Sequence, residues 1–172
     1  LGNDICCYAM HTNFDVMGMA DAAADKIALT DRQVLDVTRE TDKEKEGIGR
    51  VGRLQKAMSL KECAELVKHS FALDYIKIFG EKNRIVERAA ICPGSGKSVI
   101  QKSVLGGADV LITGDIDHHE GIDAMAMGLS IIDAGHYGLE KIFVPVMEEF
   151  LKRECGELVV FRAREQNPFW ML

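Results

Sequence analysis

Apolar and polar positions change period repeatedly along the chain, and the changes mark out alternating strands and helices. Residues 5–10 are short and apolar and read as a strand, and 17–29 is Ala-rich at helical spacing. Val34, Leu35 and Val37 predict a strand over 33–38. The charge run 39–46 predicts a solvated loop, and 47–54 another strand. Ser59 followed by Glu62 is a capping box, so a helix is expected from there through about residue 71. Residues 75–79 and 84–92 alternate as half-buried strands do. A Gly-rich turn at 93–96 then feeds a helix over about 97–105. A strand at 109–113, a helix at 119–127, a strand at 130–133, a long helix at 137–153 and a last strand at 158–162 complete the pattern.

The second half is therefore a β-turn-α unit repeated with short links. That predicts an α/β architecture with a largely parallel or mixed sheet. Ligand sites in such sheets form at the C-terminal ends of strands. Three loops are singled out, 93–98, 114–120 and 134–140, and a fourth, 11–15, follows the first predicted strand. No internal repeat or low-complexity tract is visible.

Composition narrows the class. The chain has 172 residues, 47% hydrophobic and 28% charged, the profile of an ordinary globular domain with a real core. Its net charge of −6 disfavours a broad nucleic-acid footprint. Five cysteines form no CxxC pair, so neither a disulfide framework nor a thiolate zinc site is suggested, and small buried hydrophobes in a reducing compartment are expected. There is no signal peptide and no apolar stretch long enough to span a bilayer, so a cytoplasmic protein is the default expectation. The first residue is not Met, and the first predicted strand starts almost at once, which reads as a fragment that begins inside a fold.

Chemistry concentrates in the predicted loops. In Asp133-Ala-Gly-His136-Tyr-Gly-Leu-Glu140, His136 and Glu140 stand at i and i+4 after a buried strand, which stacks them on one helical face where they could hold a divalent metal. The competing reading is a surface pair, with Glu140 facing Lys141 or solvent. In His11-Thr-Asn-Phe-Asp15, Asp15 could ligate a metal from a strand end, or Asn13 or Asp15 could simply cap the following helix. The loop from Thr113 to Glu120 holds Asp115, Asp117, His118, His119 and Glu120. Asp117 could be a plain N-cap, and at most one of the adjacent histidines should face a given site.

Two glycine motifs fail on context. Gly94-Ser-Gly-Lys97-Ser98 lacks the first Gly of a P-loop, whose position is Ile91, and a tight β-to-α turn is favoured. Gly47-Ile-Gly49-Arg-Val-Gly52 matches a dinucleotide fingerprint in letters, but follows a charged loop and opens no clear helix.

Taken in order, the elements at 11–15, 47–52, 94–96, 113–118 and 133–140 resemble the Nif-three-like family, the dinuclear metal-centre hexameric proteins often labelled GTP cyclohydrolase I type 2. The likeness spans about residues 4–169 and ends on Asn167-Pro-Phe-Trp. It implies a Nif-three-like α/β fold of mixed sheets flanked by helices, one family domain made of two lobes over residues 1–172. It implies a toroidal homo-hexamer with two metal ions per subunit. By motif, Asp15 and His136 would be metal ligands, Glu140 would bridge or ligate the pair, and His118 would lie close by as a catalytic proton shuttle. The family's paired histidines lie upstream of this sequence, since no His precedes His11. Fewer ions than two are therefore expected here.

The resemblance implies a hydrolase-like protein in which zinc, iron, manganese or nickel ions activate water against a nucleotide or phosphoester-like small molecule. The alternative is a non-enzymatic, oligomeric metal-binding scaffold that engages regulatory proteins, which suits an acidic chain better than DNA does. A P-loop-like nucleotide binder built on residues 94–98 is a third, weaker reading.

Overall fold

The computed structural model describes residues 2–42, 44–164, 166–167 and 169–170. One six-stranded mixed sheet organises them, with strands β1 (Thr30–Glu40), β2 (Lys45–Ser59), β3 (Lys77–Phe79), β4 (Ile85–Ser95), β5 (Val110–Gly114) and β6 (Ser130–Asp133) in the order β1-β2-β4-β5-β6-β3. β4, β5 and β6 run parallel, and the remaining neighbours are antiparallel. This is the mixed α/β sheet that the sequence pattern predicts.

The parallel strands are buried on both faces, which is why they read as continuous apolar runs. Ala89, Ile91, Val110, Ile112 and Ile132 face one core, shared with Ala23 and Ala24 of α2 (Ala20–Lys26) and with Leu60, Cys63 and Val67 of α3 (Leu60–Ser70). The alternate residues Ala90, Cys92, Leu111 and Ile131 face a second core. That core takes in Ile100 of α4 (Ile100–Leu105) and Ala124 of α5 (His118–Ala126). Each fully buried Leu or Ile contributes on the order of 1.5–3 kcal/mol.

Local signals set several boundaries. Ser59 and Glu62 form the expected capping box on α3, and Asp117 and Glu120 form another on α5. The predicted loop 39–46 is a hairpin tip narrower than expected, because β1 runs on to Glu40 and β2 starts at Lys45. The expected long helix 137–153 is broken into α6 (His136–Glu140) and α7 (Phe143–Glu154). Pro145 explains the break: it has no N–H, its ring would clash with the carbonyl four residues back, and it is tolerated only in a first turn.

Two expected strands are absent from the described residues. Residues 5–10 and 158–162 carry no strand pairing, and Ile5, Tyr8, Val159 and Phe161 are exposed. An apolar run becomes a strand only where another strand takes its backbone hydrogen bonds. The Gly47–Gly52 motif lies inside β2. A side chain at Gly47 would collide with the Asp36 carbonyl of β1, so this glycine serves close strand approach rather than a nucleotide. No helix among the described residues is long and apolar enough to cross a membrane.

Candidate metal centre

The parallel register brings the ends of β4, β5 and β6 to one edge, with Ser95 beside Gly114 and Thr113 beside Asp133. The loops that leave this edge carry the site. Asp133 ties two of them together: its Oδ2 accepts from Ile116 N–H at 3.1 Å, its Oδ1 accepts from Gly135 N–H at 3.1 Å, and Lys77 Nζ lies 2.9 Å from Oδ2. Asp133 is only 7% exposed, so these partners satisfy a carboxylate that would otherwise be costly to bury.

His136 opens α6 after Gly135, which takes φ +77°. Its Nδ1 donates to Asp115 Oδ2 at 2.7 Å, and its Nε2 stands 3.2 Å from Glu140 Oε2. Asp115 reaches the ring from the end of β5 through a left-handed backbone, φ +56°. Gly94, φ +79°, lies over the pair, and a Cβ there would sit 2.6 Å from Glu140 Oε1. Gly114 is as tightly placed, 2.5 Å from the His136 backbone nitrogen by the same measure.

Asp15 arrives from a different part of the chain. It lies in a π-helical turn, Asp15–Met19, between a short helical turn α1 (Thr12–Phe14) and α2. Neither Asn13 nor Asp15 caps a helix here, since α1 and α2 have no side-chain cap bond. Instead Asp15 and His11 line a cavity of about 470 Å³ together with His136, Glu140, Tyr137 and Phe143. A smaller cavity of about 180 Å³ shares His11, Asp15, His136 and Glu140, and adds Cys92 and Gly94.

The electrostatics follow from this packing. The hydrogen bond to Asp115 is the main reason that the His136 pKa is raised, with the Glu140 charge adding to it and burial opposing. Burial raises Glu140, opposed by His136 and reinforced by the Asp15 carboxylate. Burial pushes the Cys92 thiol up to about 12, with Asp15, Asp36 and Glu140 adding to the effect, so it is a neutral thiol beside the site.

Asp15, His136 and Glu140 are thus brought together. His118 is not: it is exposed on the first turn of α5, its ring edge-on to His119 with centroids 5.5 Å apart, and it is not among the residues lining either cavity. Lys97 of the failed P-loop pairs with Asp117 and Glu120 instead of presenting a charge to an anion. Asp115, His11 and Cys92 join the site without having been chosen from sequence. Asp115 had the available signal of lying at a strand end, and Cys92 reads in sequence only as an apolar residue.

Among the described residues, no three His, Cys, Asp or Glu side chains already form a group that could hold a metal ion. The donor chemistry nevertheless suits a divalent cation. With the Nδ1 proton held by Asp115, a neutral His136 offers a lone pair at Nε2 close to a carboxylate, and a carboxylate that orients the other imidazole nitrogen is the usual support of a metal-binding histidine.

Fold and site together define a mixed α/β protein with His and carboxylate donors gathered at the C-terminal edge of its parallel strands. The chain belongs to the Duf34/NIF3 (NGG1p interacting factor 3) family, whose model matches residues 1–168. It is 35% identical to a protein of Lactococcus lactis named GTP cyclohydrolase 1 type 2 homolog, over 96% of this chain and 63% of that protein. A protein of the same name from Clostridium acetobutylicum is 34% identical, over 88% of this chain and 57% of its own. The chain therefore spans about three fifths of the length of these curated relatives. Among solved structures, a Bacillus cereus protein related to NIF3 superposes with a TM-score of 0.93 at 21% identity, over 99% of this chain and 74% of that one. Reduced HcgD from Methanocaldococcus jannaschii superposes at 0.69 with 30% identity, over 89% and 59%.

Proposed function

We propose that the protein to which this chain belongs binds divalent metal ions at Asp15, His136 and Glu140, and acts as a metal-dependent hydrolase on a nucleotide or phosphoester-like small molecule. The observation that carries this reading is the meeting of two acceptors. When His136 is neutral and its Nδ1 proton is held by Asp115, Nε2 and Glu140 Oε2 face each other 3.2 Å apart with no hydrogen between them. Such a pair repels unless a cation joins it. A proton fills that role when His136 is charged, and a divalent cation fills it at higher pH. Zinc, iron, manganese and nickel all suit imidazole and carboxylate donors.

When bound, the ion supplies Lewis-acid polarisation and lowers the pKa of water. The protein's own groups do the rest. Asp115 holds the His136 tautomer, and Gly94 leaves room for the Glu140 carboxylate. His11 lines the same cavity and brings a second imidazole to it. Tyr137, Phe143 and Val144 give that cavity an apolar wall that can exclude water from a bound substrate. The relatives' name, GTP cyclohydrolase 1 type 2 homolog, supports a nucleotide as the substrate. The family resemblance supports a homo-hexamer with up to two ions per subunit.

The test is metal content and turnover measured together. Zinc or manganese should bind with a stoichiometry that His136→Ala and Glu140→Gln abolish, and hydrolysis across a purine-nucleotide panel that includes GTP should stop with chelator. No binding by either the chain or a version extended to the relatives' length would refute the metal assignment. A second reading, a non-enzymatic metal-binding scaffold for regulatory proteins, is favoured by the incomplete ligand group and by the family's name as an interacting factor. Stoichiometric metal with no turnover would select it.

A further inference from the structure

On the far edge of the sheet, β3 ends the strand order and, among the described residues, has no strand neighbour on its outer side. Beside it lies a cleft of about 400 Å³ between β3 and α3. Its floor is apolar, from Leu60, Ala64, Ile76 and Ile78, and Ile78 is 41% exposed. Its rim carries Lys61, Lys68 and Lys82 against one carboxylate, Glu65. Glu65 lies 3.6 Å from Lys61, while no ion pair is found for Lys68 or Lys82 among the described residues. The rim is held in place by backbone bonds, Lys61 N–H to the Lys82 carbonyl at 3.1 Å and Leu60 N–H to the Arg84 carbonyl at 2.8 Å.

We propose that this cleft docks an acidic peptide segment, which adds as a strand to the free edge of β3 and seats an apolar side chain over Leu60, Ala64 and Ile78. Three features select that occupant. A free sheet edge offers main-chain hydrogen bonds to an extended chain, and alternate side chains of that chain then reach a neighbouring cleft. The volume accepts one or two side chains, not a folded surface. The charge is opposite to that of the molecule: the whole chain is −6, so an acidic segment is repelled generally and attracted at this rim. The same lysines repel the edge of a second copy, which disfavours self-pairing here.

The probe is a fluorescein-labelled seven-residue synthetic peptide alternating Glu or Asp with Val or Ile, followed by fluorescence anisotropy and by amide NMR of the chain. Saturable binding is expected, weakening as salt is raised, with amide shifts at residues 77–79. The double change Lys68→Glu, Lys82→Glu should weaken binding at least tenfold, and Ile78→Asp should do the same without moving the rim charges. All three side chains in question lie on the exposed surface, and circular dichroism of each variant checks that the fold is retained. Equal binding of a matched Lys-containing peptide, binding indifferent to the charge reversal, or no saturation at millimolar peptide would overturn the proposal. So would saturation by decanoate with the amides of 77–79 unmoved, which would make the cleft a site for a small amphipathic anion.

Discussion

His136 Nδ1 donates to Asp115 Oδ2 at 2.7 Å, across 21 residues of sequence and between the ends of two different strands. This bond decides which imidazole nitrogen is free, and it turns Nε2 toward Glu140. Because the bond and the nearby carboxylates favour the charged ring, the His136 pKa lies above its ordinary value of 6.5. A raised pKa means that the pair's contribution to stability is complete below the unfolded value and is lost as pH rises through the folded one. Protons also compete with metal at Nε2, so metal affinity should increase over the same rise. Asp115→Asn should lower the His136 titration midpoint, read from its ring proton by NMR, and weaken metal binding about 10–100-fold. An unchanged midpoint would show that Asp115 does not hold the ring.

Gly94→Ala tests the crowding over Glu140. The new Cβ would sit 2.6 Å from Glu140 Oε1, in a backbone conformation of φ +79° that Ala adopts only with strain. A loss of about 1–2 kcal/mol is expected from the backbone, together with displacement of the carboxylate and weaker metal binding. Calorimetry for stability and metal titration for the site separate the two effects, and wild-type values in both would refute the contact.

Asp133→Ala should destabilise the fold by about 2–4 kcal/mol, because the buried Ile116 N–H and the part-buried Gly135 N–H lose their acceptor at once. The Lys77 ammonium is about half exposed and would be rehydrated, so it adds little to this cost. The denaturant midpoint should fall with the slope unchanged. A variant as stable as the parent would mean that the loops after β5 and β6 do not depend on this carboxylate.

Alkylation with iodoacetamide should distinguish the cysteines. Cys6 and Cys7 are exposed and should react first in the native protein. Burial pushes the thiols of Cys63 and Cys92 up to about 12, so both should resist modification until the chain unfolds. Mass spectrometry of tryptic peptides after short exposure reads the order, and early labelling of Cys92 would show that the site opens to solvent.

Short-range signals were the legible ones. Ser59 with Glu62 spans one helical turn and formed the expected capping box, and Asp117, expected only as a plain N-cap, forms a second box with Glu120. His136 with Glu140 is of the same kind. Asp115 was one of several possible ligands in its loop and was not singled out, because its partner is named only by the pairing of β5 with β6. The expected strand at 5–10 failed for the reciprocal reason: its residues are apolar, but strand structure belongs to a pair, and no partner stands beside them among the described residues.

The order of motifs and the alternation of apolar runs thus determined the α/β class and brought three residues, Asp15, His136 and Glu140, to attention before any coordinates. Tertiary structure alone decided that these three share a cavity, that His118 lies outside it, and that Lys97 is spent on Asp117 and Glu120. The physical reason is range. Caps, turns and i,i+4 faces are set by neighbours in the chain. The meeting of strand ends is set by the sheet register and by the packing of two cores on either side of it, which local sequence does not encode.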